Sequence, residues 1–109
     1  MEVNTWIEDW VNLWPEDVRW NNERIRSSKA ECLGKMERWV KANPKYNREQ
    51  IFKATEAYLI NQEFNNWQYT MKAHYFIDKK GKGSTLLEYC TAQDGPQEEI
   101  NKNFFNNFI

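Results

Sequence analysis

The chain alternates apolar and polar positions with a helical period over most of its length. Trp6, Trp10, Leu13 and Trp14 recur at i, i+4, i+7 and i+8 and make one apolar stripe. That spacing predicts a first helix from Asn4 or Thr5, either able to cap it, to about Trp14, with Pro15 next. Residues 15–27 read as an irregular connection, with Pro15, Asn21 and Asn22 as breakers. Ser28-Lys29-Ala30-Glu31 has the form of a capping box and opens a second helix to about Ala42. Its apolar face would hold Cys32, Leu33, Met36, Trp39 and Val40, and Asn43-Pro44 would stop it. Asn47-Arg48-Glu49-Gln50 repeats the signal for a third helix to about Asn61, with Ile51, Ala54 and Tyr58 inward and Phe52 and Leu59 beside them.

Trp67 to Ile77 predicts a fourth helix through Met71, Ala73 and Phe76, although Tyr75-Phe76-Ile77 also fits a short strand. Asp78 to Gly83 is a polar turn, after which Ser84 caps a short helix carrying Leu86, Leu87 and Cys90. Asp94-Gly95-Pro96 ends this pattern, and Gln97 to Ile109 reads as a tail. The expectation is an all-α fold: a compact domain of four to five short helices over residues 1–93, followed by a C-terminal tail over 94–109. The expected core is Trp6, Trp10, Leu33, Met36, Trp39, Ile51, Tyr58, Phe76 and Leu87.

Composition narrows the class. The chain has 109 residues, enough for one domain with a modest core. It carries 6 Trp, 5 Tyr and 6 Phe, too many aromatics for a disordered segment, even though mean hydropathy is only -0.94. No stretch approaches the roughly 20 apolar residues of a membrane span, and the N-terminus lacks the basic and apolar regions of a signal peptide. A cytoplasmic location without membrane contact is therefore expected. Two cysteines and one histidine make a zinc site or other metal site unexpected, and no cofactor is expected.

Charge adds a local feature that the net value of -1 hides. Residues 1–18 hold five acidic and no basic side chains, whereas residues 19–53 hold ten basic against four acidic. Arg19, Arg24, Arg26 and Lys29 cluster around Ser27-Ser28 at the start of the second helix. There the helix N-terminus could help to hold a phosphate or an acidic surface. These residues, with Ser28, are the candidate anion or nucleic-acid site; the alternative is a solvated loop that neutralises the acidic first helix. Trp20 beside them reads equally as a base-stacking surface and as core.

Catalytic signals are weaker. Cys32 or Cys90 with His74 would be needed for thiol chemistry, but both cysteines fall on apolar stripes and neither carries a local signature. Gly81-Lys82-Gly83 lacks the spacing of a phosphate-binding glycine loop. The last three helices suit a helix-turn-helix outline. The would-be reading helix, Ser84 to Thr91, has no Arg, Lys, Asn or Gln and carries Glu88, which disfavours sequence-specific reading. The expectation is a protein without enzymatic activity.

The tail ends in an unusual set of apolar residues. Ile100, Phe104 and Phe108 are spaced to share one helical face, with Phe105 and Ile109 beside them. They would either dock on their own domain or fill a groove on a protein partner.

Two resemblances follow from these residues. Pro44-Lys45-Tyr46, Glu49-Gln50-Ile51, Ala54, Tyr58, Tyr69 with Ala73, Tyr75-Phe76-Ile77, and Ser84, Leu87 and Tyr89 after a Gly turn form a pattern over Tyr46 to Cys90. It resembles a helical module of small proteins of tailed bacteriophages, also seen in phage replication proteins. The tail is similar in style to the acidic-aromatic C-termini by which T-even-type late transcription coactivators and sigma factors dock on the sliding clamp. Gln97 and Ile100 stand as in the clamp motif, with Phe104-Phe105 one residue late. The resemblances imply an accessory protein of phage DNA replication or late transcription that binds RNA polymerase, a replisome component or a sliding clamp, in the cytoplasm of an infected bacterium. The alternatives are a nucleic-acid-binding helical module using the basic cluster, and an inhibitor of a host enzyme or defence protein.

Overall fold

Two capping boxes set the two long helices. The Ser28 hydroxyl accepts from the Glu31 N–H at 3.1 Å, and the Glu31 carboxylate accepts from the Ser28 N–H at 3.0 Å. Asn47 and Gln50 reproduce the reciprocal pair at 2.9 and 2.8 Å. The computed structural model describes residues 2–93. A turn of 3-10 helix at Val3–Thr5 leads into α1 (Ile7–Val11). A hairpin of β1 (Arg19–Trp20) and β2 (Glu23–Arg24) precedes α2 (Lys29–Ala42) and α3 (Arg48–Phe64), and α4 (Ala73–Ile77) and α5 (Thr85–Ala92) follow. α2 lies against α1 and α4, and α3 against α5. The described residues are mostly helical, and no helix among them is long and apolar enough to cross a membrane.

The core is an aromatic cluster. Trp10, Trp14 and Phe76 are fully buried. Phe76 meets Tyr58 at 4.7 Å and Trp14 at 5.5 Å between ring centroids, and Trp10 meets Trp14 at 5.7 Å. Such tilted and edge-on pairs contribute about 0.5–1.5 kcal/mol each beyond area burial. The polar atoms carried inward are mostly met. Trp10 Nε1 donates to the Thr55 hydroxyl, which donates to the Ile51 carbonyl, each at 2.8 Å. The Tyr58 hydroxyl accepts from the Met71 N–H at 2.9 Å, and Trp39 Nε1 donates to the Ser84 hydroxyl at 2.9 Å.

Four sequence expectations change. The connection read as irregular contains the hairpin, so the fold is not strictly all-α. Asn21 and Asn22 have φ of 55° and 65°, as a two-residue turn of type I′ requires, and asparagine tolerates that region. The helix expected over 67–77 is only α4. Asn66, Trp67 and Tyr69 have left-handed φ values of 57°, 61° and 60°. Asn66 N–H donates to the Glu63 carbonyl at 3.0 Å and Trp67 N–H to the Gln62 carbonyl at 2.7 Å. That pair of bonds is a Schellman motif with asparagine at the left-handed position, and it stops α3. Tyr75-Phe76-Ile77 is helical, not a strand.

The last two corrections concern the core. Leu87 is 37% exposed while Leu86 is fully buried, so α5 is rotated by one residue from the expected face. Leu33 is half-buried at the edge of the cluster, whereas the fully buried Cys32 and Met36 carry that face of α2. Leu86→Ala is therefore expected to cost about 2–5 kcal/mol in urea unfolding, and Leu87→Ala less than about 1 kcal/mol. Equal costs would contradict this register.

Candidate functional site

The hairpin turn brings two arginines face to face. Arg19 and Arg24 are direct partners in register. The flanking Ile25 N–H to Val18 carbonyl bond, at 3.2 Å, marks the next hydrogen-bonded pair. The alternation of an antiparallel ladder then makes Arg19 and Arg24 a non-hydrogen-bonded pair, the kind whose side chains are closest. Like charges directly opposite cost about 0.2–1 kcal/mol. Among the described residues neither arginine forms an ion pair with a carboxylate; Arg19 bonds only the Asn22 carbonyl, at 3.2 Å.

The rest of the site is built by a clamp between the link after the hairpin and the start of α4. Ala73 N–H donates to the Ile25 carbonyl at 2.8 Å. The buried Ser27 hydroxyl accepts from the His74 N–H at 3.0 Å and lies 2.6 Å from His74 Nδ1. A cavity of about 330 Å³ results, with Arg19, Asn22, Glu23 and Arg24 on the hairpin side. Arg26, Ser27 and Glu31 form its base, and Lys72 and His74 its far wall. Lys72 pairs with Glu23 at 3.0 Å.

Each titratable group here has an identifiable environment. Burial pushes His74 below the ordinary histidine value, and the Glu31 carboxylate 3.9 Å away only partly opposes this. Because the Ser27 oxygen already accepts from the His74 N–H, its own proton is free to donate to Nδ1. When it does so the ring is neutral and carries its proton on Nε2, the form that burial favours. Hydrogen bonds from the Ser28 N–H and hydroxyl lower Glu31, with His74 and Lys72 assisting. The hydrogen bond to Glu23 raises Lys72. Burial pushes the Cys32 thiol up to about 12, so it is protonated at neutral pH and a poor nucleophile. Ser27 and Glu31 both approach Nδ1, whereas a Ser–His–acid relay needs hydroxyl and carboxylate on opposite ring nitrogens.

The expected anion site is thus brought together only in part. Arg19 and Arg24 line the cavity with free guanidinium donors. Arg26 lines it too, but its Nε donates to the Trp14 carbonyl at 2.7 Å and its Nη2 to the Asn12 carbonyl at 3.3 Å, closing the chain end of the first helical segment. Ser28 is committed to the capping box, whose Glu31 carboxylate occupies the N-terminus of α2. Lys29 is exposed and does not line the cavity. Lys72 and His74 join from a distant stretch, which no local pattern revealed; Ser27, the clamp, was overshadowed by the capping signal of Ser28.

Two other surfaces frame this one. A depression of about 870 Å³ between the N-terminal turn and α2 mixes Glu2 and Glu37 with Arg38 and Lys41. It has the larger volume but no convergent charge and no buried polar group. A hollow of about 250 Å³ is lined by Leu13, Pro15, Leu59, Ile60 and Trp67 with Glu63, and Phe64, next in sequence on α3, is 89% exposed. Ile100, Phe104, Phe105, Phe108 and Ile109, the expected partner-binding residues, lie outside the described residues. Among the described residues no cluster of His, Cys, Asp and Glu could hold a metal ion. No family model matches the chain, and no curated protein or solved structure shows significant similarity to it.

The clamp makes stability depend on pH. A histidine held low in the folded state resists a proton that the unfolded chain accepts near 6.5. Stability is therefore full above that value and falls as pH drops through it towards the folded value. The Glu31 contribution is lost separately, as pH falls below the ordinary 4.5. The urea midpoint should fall between about pH 7.5 and 5.5, and His74→Gln should flatten that interval. An unchanged pH dependence in the variant would contradict the neutral ring.

Proposed function

We propose that this chain is a nucleic-acid-binding module that holds the phosphate backbone in the Arg19–Arg24–Lys72 cavity. The observation that carries the reading is the cross-strand pair of arginines. It sets like charges opposite each other, neither in an ion pair among the described residues, in the lining of a cavity whose carboxylates, Glu23 and Glu31, are bonded to Lys72 and to Ser28. A phosphate between two guanidinium groups converts that repulsion into charge-assisted hydrogen bonds, and arginine presents its donors as a fork that matches phosphate oxygens. Arg26 is occupied by backbone carbonyls, so the number of phosphates neutralised is small. No side chain in the cavity is placed to read a base edge through a recognition helix, so the expected binding is insensitive to duplex sequence.

A second reading keeps the accessory role in phage replication or late transcription, with a polymerase, replisome or clamp protein as partner. One described observation favours it. Ile60 and Phe64, 60% and 89% exposed, lie one helical turn apart on α3, and Ile60 lines a hollow with Leu13 and Trp67. The two readings are compatible, since they use different surfaces.

Salt dependence separates the cavity from diffuse charge. One phosphate shared by Arg19 and Arg24, with at most a second at Lys72, predicts a log–log slope of about -1 to -2 on duplex DNA, with weak affinity at physiological salt. Arg19→Ala with Arg24→Ala should weaken binding by about tenfold or more at about 50 mM salt and reduce the slope by about 1. Arg38→Ala with Lys41→Ala, on the other depression, should leave both unchanged. Fluorescence anisotropy checks this. Equal losses in the two double variants, or no binding at low salt, would reject the reading.

A further inference from the structure

We propose that the phosphate preferred by Arg19 and Arg24 is the terminal phosphate of a nucleic-acid strand, a phosphomonoester, over a phosphodiester inside the chain. This rests on the phosphate-binding reading above and adds which phosphate the site selects.

The charge of the lining is the first ground. Four basic side chains, Arg19, Arg24, Arg26 and Lys72, line the cavity against two carboxylates, Glu23 and Glu31, a net charge of +2 with His74 neutral. Glu23 is taken by Lys72 at 3.0 Å, and Glu31 by the Ser28 N–H and hydroxyl at 3.0 Å each. Arg26 spends its donors on the Trp14 and Asn12 carbonyls, which leave its charge uncompensated. A phosphodiester brings a single negative charge to this surplus. A terminal phosphate brings about 1.5 to 2 at neutral pH, close to what the lining lacks.

The donors are the second ground. Arg19 and Arg24 stand opposite each other in register, so their side chains leave the same face of the hairpin. Arg19 gives one bond to the Asn22 carbonyl, at 3.2 Å, and keeps its other N–H groups. A guanidinium is a planar fork that takes two oxygens of a phosphate at once. An internal phosphodiester has two free oxygens, because the other two are esterified to sugars, and a single fork occupies both. A terminal phosphate has three, so two forks can each take a different edge of the same group.

The shape of the cavity agrees. The Glu23–Lys72 pair joins the hairpin side to the far wall, and Arg26, Ser27 and Glu31 form the base. A backbone that runs through a groove needs it open at two ends, whereas a strand end needs one opening. The lining residues do not distinguish deoxyribose from ribose, or a 5′ from a 3′ end, so a 5′-phosphorylated DNA strand represents the class.

The test uses the full chain and oligothymidylate of about 12 nucleotides labelled at its 3′ end. The 5′ end carries a hydroxyl, a phosphate, or a phosphate closed as its methyl ester, which restores a diester with two free oxygens. Fluorescence anisotropy at about 50 mM salt reads the affinities. The phosphate-ended strand should bind about tenfold more tightly than the hydroxyl-ended one, and the methyl ester should lose most of that gain. Arg19→Lys with Arg24→Lys keeps both charges but removes the forks, and should also lose most of the preference. Equal binding of the three forms, with a loss in the Arg19→Ala, Arg24→Ala variant, would overturn this inference and leave the phosphate-backbone reading standing. A methyl ester that binds as tightly as the open phosphate, or a preference kept in full by the lysine pair, would do the same. No effect of the alanine pair on any form would overturn both. Displacement by a phosphoserine peptide as effective as that by unlabelled phosphate-ended strand would overturn nucleic acid as the ligand and assign the site to a phosphorylated protein.

Discussion

The Ser27 hydroxyl joins two parts of the chain separated by 47 residues. It accepts from the His74 backbone N–H and faces the imidazole Nδ1, so one buried oxygen holds both the start of α4 and the ring of its histidine, whose value burial lowers. Beside it, Ala73 N–H meets the Ile25 carbonyl. A two-stranded hairpin alone is marginal in water, and this clamp adds to the packing of Ile25 and Trp20 on the core and to the Glu23–Lys72 pair. The cavity exists because the clamp holds the hairpin against Lys72 and His74.

The aromatic core makes the clamp possible. Phe76 is buried among Tyr58, Trp10 and Trp14, and its helix carries Ala73 and His74 one turn earlier. Arg26 ties the same region to the first helical segment through the Trp14 and Asn12 carbonyls. A cation that looked like a ligand donor thus serves the fold. Arg24 has no such duty, and Arg19 reaches only the Asn22 carbonyl in its own hairpin turn. The division of labour among three neighbouring arginines follows from burial: Arg26 is half-buried at a helix end, and the other two are exposed at the hairpin.

The long helices were legible because their ends are written in short-range chemistry. Ser28 with Glu31, and Asn47 with Gln50, each satisfy donors three residues away. The hairpin was not read because Asn21-Asn22 signals only a break. The choice between irregular loop and type I′ turn depends on how the flanking residues pair. Asn65-Asn66 carried the stop signal for α3, but the aromatic and apolar residues from Trp67 onward imitated a helix that the left-handed backbone at Trp67 and Tyr69 forbids. On α5, Leu86 and Leu87 are adjacent, and periodicity over eight residues does not decide which one turns inward. Of the candidate site, Arg19 and Arg24 were readable as charge; Lys72 and His74 arrive through tertiary packing.

The central claim is that exposed cations of the hairpin, rather than basic charge in general, receive a phosphate. Nitrogen-labelled protein titrated with oligothymidylate of about 12 nucleotides, followed through the arginine Nε–H signals, tests it most directly. Saturable shifts are expected at Arg19 and Arg24 and in the backbone around Lys72, while Arg26, already bonded to the Trp14 carbonyl, stays in place. Shifts centred on Arg38 and Lys41, or on the Leu13–Ile60–Phe64 face, would contradict it.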